Sequence, residues 1–69
     1  MNLAFAPIGK EMTIKQINAD EKTKRHLENL GMTVGGSVTS MFDNGGDVVL
    51  KIKDGKVAMN KSLALKIVV

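Results

Sequence analysis

A chain of 69 residues has room for one domain, and with no Cys and a single His it has neither a disulfide framework nor a Cys/His zinc site to hold it together. Below roughly 70–80 residues an apolar core yields only about 3–5 kcal/mol of net stability, and here the fold must rest on that core alone. Hydrophobic residues at 43% and charged residues at 25% exclude disorder, no apolar run approaches the ~18 residues of a membrane span, and the net charge is +3.

The first twelve residues have no basic stretch followed by an apolar core, so they are not a secretory signal, and the expected location is the cytoplasm. Leu3, Phe5 and Ile8 form an apolar entry segment in which Pro7 forces Ala6 to be extended. Met12 and Ile14 alternate with Thr13 and Lys15, which predicts a first strand running to about Ile17. Asp20 is a good N-cap for a short helix over Glu21 to Leu30, with Gly31 as its stop. At about 100° per residue Thr23, Leu27 and Leu30 share one side, while Lys22, Arg25 and Asn29 point away.

From residue 37 the period becomes two. Val48, Leu50 and Ile52 alternate with Val49, Lys51 and Lys53, and Asp54-Gly55 predicts a type I′ hairpin. That turn pairs Lys53 with Lys56, Ile52 with Val57 and Leu50 with Met59. Before it, a loop of Asn44-Gly45-Gly46 pairs Phe42 with Val48 and Val38 with Ile52. That register puts Ser40 on the core face and Met41 outside; a bulge would reverse it, and the sequence leaves both open. Leu65 to Val69 reads as a last strand after a turn around Lys61 to Ala64. Residues 1–69 are therefore expected to form one mainly β domain, a small antiparallel barrel of about five strands with one short α-helix.

No catalytic constellation appears. His26 stands alone beside Lys22 and Arg25, and the acids are scattered through caps and turns with no acid–base pair. Asp43-Asn44-Gly45-Gly46-Asp47 has the letters of an ion loop, but its length between two strands fits a hairpin turn. The expectation is no enzyme, no metal site and no cofactor. The lysines raise nucleic-acid binding as the alternative reading. Against it, base stacking needs aromatic residues, and the two present, Phe5 and Phe42, are expected in the core. Glu21 and Glu28 also flank Arg25 at helical spacing.

The segment Arg25-His26-Leu27-Glu28-Asn29-Leu30-Gly31-Met32-Thr33-Val34-Gly35 reads R-x-L-x-x-L-G-M-x-x-G and resembles the helix and helix–strand junction of the FeoA family. The closing pattern Val57-Ala58-Met59, Lys61, Ala64, Ile67 and Val69 is similar to that family's C-terminal segment. Leu3, Gly9, Ile14 and Ile17 fall at matching spacings upstream; Ser40 departs from the pattern, standing where an apolar residue is expected. The resemblance implies an SH3-like barrel and a non-catalytic, peripheral role beside FeoB, the membrane ferrous iron transporter with a cytoplasmic GTPase domain. It supplies no catalytic or iron-ligating residue. The contact residues expected on that reading are Lys22, Arg25 and His26 on the helix, with Met41 on the first hairpin. Strands such as Asp47 to Lys53 are also candidates for pairing between copies of the chain.

Overall fold

A computed structural model describes residues 1–69, with six short strands, two α-helices and one 3₁₀ turn. The 3₁₀ turn Leu3–Phe5 is capped by the Asn2 side chain, which accepts the Ala4 N–H at 2.9 Å. Ala6 is extended, as Pro7 requires. In chain order there follow β1 (Glu11–Thr13), β2 (Gln16–Ile17), α1 (Glu21–Asn29), β3 (Ser37–Asp43), β4 (Asp47–Ile52), β5 (Gly55–Asn60), α2 (Lys61–Ala64) and β6 (Ile67–Val68). One antiparallel sheet has the order β1-β3-β4-β5, and β2 pairs with β6 in a second.

The stretch expected as a single first strand is two strands in two sheets. The Ile14 N–H donates to the Gly36 carbonyl at 2.9 Å, still on the side of β3, whereas the Lys15 N–H donates to Val68 at 2.7 Å. The chain thus changes sheet within one residue step and wraps both sheets around one core, giving a small SH3-like barrel of six strands rather than about five. Leu3, Ile14, Leu27, Met32, Leu50 and Ile67 meet in that core, fully buried. They come from the 3₁₀ turn, the sheet-changing corner, α1, the loop after it and the two sheets. Each contributes on the order of 1.5–3 kcal/mol of transfer free energy.

Helix α1 starts and stops where its residues dictate. The Asp20 carboxylate accepts the Thr23 N–H at 2.8 Å. At the other end the Gly31 N–H donates to Glu28 and the Met32 N–H to Leu27, both at 2.9 Å. These two bonds form a Schellman cap, which needs a left-handed residue, and Gly31 supplies it with φ +96°. Met32 and Leu27, the pair such a cap brings together, are both wholly buried.

The second hairpin lies on the expected face but in a different register. Leu50 pairs with Val57, Val48 with Met59 and Ile52 with Gly55, so the turn is Lys53-Asp54 rather than Asp54-Gly55. A type I′ turn would need positive φ at Asp54, and only Gly55 has it. A slip that keeps the alternation leaves every apolar side chain on its face, so hydrophobic patterning does not distinguish the two registers.

In the first hairpin Ser40 pairs with Leu50 and is buried, while Met41 forms a β-bulge, beyond which Phe42 pairs with Val49 rather than Val48. Phe42 therefore lies on the outer face and is 57% exposed; Phe5, expected in the core, is 72% exposed. The bulge supplies the reason for the first. For the second, Leu3 and Ala4 fill the inner side of the 3₁₀ turn.

Two further expectations change. Residues 61–64 form a one-turn helix and the last strand shortens to Ile67–Val68, leaving Leu65 exposed as the C-cap. Strand β4, expected above as a candidate for pairing between copies of the chain, is bonded on both sides, so the sheet's edges are β1 and β5.

Candidate functional site

The residues expected to contact a partner divide between two surfaces. Lys22, Arg25 and His26 are exposed on α1. Neither Glu21 nor Glu28 forms an ion pair with Arg25; the one ion pair of the chain joins Lys61 to Asp43 at 2.9 Å. Met41, 40% exposed, sits on the bulge of β3. Leu27 of α1 and the inner face of the large sheet share one core. The exposed side of α1 and the outer face of the sheet are therefore separate surfaces, and the structure does not bring Met41 together with the three helix residues.

The outer face of the sheet is built in rows by the strand registers. Phe42, Val49 and Ala58 lie side by side across β3, β4 and β5. The neighbouring row holds Thr39, Lys51 and Lys56, with Glu11 at its β1 end. Met41 bulges between the two rows. Lys51 and Lys56 are directly opposite one another, an arrangement that like charges disfavour. Sequence reasoning found these lysines with Val49 and Ala58 beside them but missed Phe42, which it expected in the core. Alternation marks Val49 and Ala58 as outward-facing; nothing in it marks the bulge that turns Phe42 out.

Two grooves flank these surfaces. One of about 620 Å³ is lined mainly by polar groups, including Glu11, Thr33, Ser37, Thr39, Lys51 and Lys53. Another of about 540 Å³ lies along β2 and α1, between Lys15–Ala19, Lys24 and Glu28. Neither is lined by a His, and no three His, Asp or Glu side chains gather to hold a metal ion.

The Asp43–Asp47 turn directs its oxygens to its own backbone. Asp43 accepts the Gly45 N–H at 2.8 Å, and Asn44 accepts from Gly46 and Asp47 at 3.0 and 2.7 Å. The Lys61 side chain, and then the Gly45 N–H, hold the Asp43 carboxyl below its ordinary range. Thr23, through its side chain and then its N–H, does the same for Asp20 at the start of α1.

The fold and this surface define a class: a small mainly β, SH3-like barrel presenting mixed apolar and basic side chains. The family model described as the FeoA domain matches residues 1–69. A protein of Methanocaldococcus jannaschii provisionally named Fe(2+) transport protein A is 31% identical over 67 residues, covering 97% of this chain and 82% of its own. The chain belongs to the FeoA family, which is linked to ferrous iron transport.

Solved structures agree on the fold. The crystal structure of an iron uptake regulatory protein (FeoA) superposes with a TM-score of 0.90 at 18% identity, covering 97% of this chain and 91% of that one. A manganese-dependent transcriptional repressor superposes at 0.85 and 18% identity, but this chain covers only 39% of it, so the likeness is to one part of that protein's fold. No helix here is long and apolar enough to cross a membrane.

Proposed function

We propose that this protein is a non-catalytic accessory protein of ferrous iron uptake that binds the cytoplasmic, GTPase-bearing portion of the membrane transporter FeoB and supports or regulates it. The observation that carries this reading is the FeoA family match across residues 1–69. It is supported by a surface suited to binding rather than reaction: exposed Lys22, Arg25 and His26 on α1, and Met41 on the sheet, are its candidate contacts. Such a protein acts by binding one conformational state of its partner more tightly than another, because equal affinity for both states shifts nothing. It works at the cytoplasmic side of the membrane and is held there by the transporter.

The test is a pull-down of the transporter's purified cytoplasmic portion on the immobilised full chain, at low and moderate salt. Enrichment at both is expected. Its absence at both sinks the proposal. A nucleic-acid role instead requires affinity for oligonucleotides that falls steeply with salt.

A further inference from the structure

The mixed outer face of the large sheet is the part of the molecule whose chemistry points most narrowly to a partner. Two features there are unfavourable for an isolated domain. Phe42 is mostly in water beside Met41, with Val49 and Ala58 continuing the apolar row across the sheet. In the adjoining row Lys51 and Lys56 oppose each other, with Lys53 next to them in the turn and no ion pair for any of the three. The Gly9 N–H donates to the Ser40 carbonyl at 2.7 Å, which holds the backbone of the exposed Ile8 segment against the β3 bulge. The acids of this face lie at its borders: Glu11 on β1, Asp47 at the far end of β4 and Asp54 in the turn.

Resting on the transporter reading above, we infer that this outer sheet face, and not α1, is the principal docking surface. Its partner is an acidic amphipathic protein segment, whose apolar side chains cover Met41, Phe42 and Val49 while its carboxylates reach Lys51, Lys53 and Lys56. Charge complementarity selects that occupant. Carboxylates relieve the Lys51–Lys56 repulsion, and an apolar stripe beside them covers the row that water now wets. A nucleic acid fits less well, because Val49 and Ala58 offer a phosphate backbone nothing and Phe42 is the single base-stacking ring on the face.

The experiment titrates the isotopically labelled full chain with the transporter's cytoplasmic portion, following amide shifts. Carbodiimide coupling of the complex then maps which lysines touch carboxylates. Shifts centred on residues 39–42, 49–51 and 56–58 are expected, with cross-links from Lys51, Lys53 or Lys56. Phe42→Ser and Lys51→Glu should each weaken binding by about tenfold or more, and Lys22→Glu, at a secondary contact on α1, by less than either. Lys51→Glu places opposite charges across β4 and β5, so its melting temperature should hold or rise while binding falls. A merely structural role for Lys51 would not give that combination. Binding that shifts α1 and is indifferent to Phe42→Ser and Lys51→Glu overturns this inference and leaves the transporter reading standing. No binding by any face overturns both. Salt-sensitive binding of a single-stranded oligonucleotide through these lysines, without binding to the transporter, overturns both in favour of a nucleic-acid partner.

Discussion

At Gly31 two requirements coincide. Its backbone is left-handed at φ +96°, and a Cβ there would stand 2.8 Å from the Ile52 Cδ1. The Ile52 methyl is the end of a flexible side chain and can yield, so the backbone sets the cost. Gly31→Ala should lose about 1–2 kcal/mol in urea unfolding. Gly45→Ala, at φ +93° with nothing within 4 Å, isolates the backbone part and should lose a similar amount.

Asp43 is a second residue whose chemistry can be read out. Its carboxyl titrates below the ordinary 3.8 in the folded chain, because Lys61 and the Gly45 N–H favour the charged form. The unfolded chain therefore takes up the proton first as pH falls. The resulting stability is complete above about pH 5 and is lost as the pH drops through 3.8 toward the folded value. Denaturation midpoints measured across that range should fall with acid, and Asp43→Asn should flatten the fall. Asp20, also lowered, should leave part of the slope behind.

Among the elements, α2 depends most on a single side chain. Asn60 accepts the Leu63 N–H at 2.9 Å, and the Lys61 N–H reaches the Gly46 carbonyl at 3.0 Å. Asn60→Ala should cost about 1 kcal/mol, seen as a lower thermal midpoint. This helix was not legible in the sequence, since one turn is too short to show a period. Helix α1 was legible because its signals are local: Asp20 to begin it, and Leu27, Gly31 and Met32 to end it. The faces of β4 and β5 were equally clear. Their register was not, because a slip that preserves alternation preserves every face. Whether a bulge interrupts β3 stayed open for a related reason, since a Met-Phe pair reads as apolar whichever residue is the extra one. The candidate site divides the same way. Lys51 and Lys56 could be placed on an outer face from alternation alone, whereas Phe42 joins them only through the bulge.

For the molecule as a whole, both sheets and α1 share one small core, so a cavity in it threatens the entire fold. Leu50 is fully buried at the centre of the large sheet. Leu50→Ala should cost about 2–5 kcal/mol, comparable with the roughly 3–5 kcal/mol a domain of this size has. The expected outcome is collapse of the dispersed amide spectrum at room temperature, in contrast to the surface changes at Phe42 and Lys51.

The two ends of the chain are clasped together. Val69 donates its N–H to Met1 at 2.7 Å, the Met1 ammonium returns a bond to Val69 at 3.1 Å, and Asn2 bridges to Val68. The barrel is thus nearly a closed ring, and which of its strands comes first matters little to how they pack. A short bridge from residue 69 to residue 1 would cost little closure entropy. The opening could then move to the exposed Gly45-Gly46 turn, giving the same barrel started from a different strand.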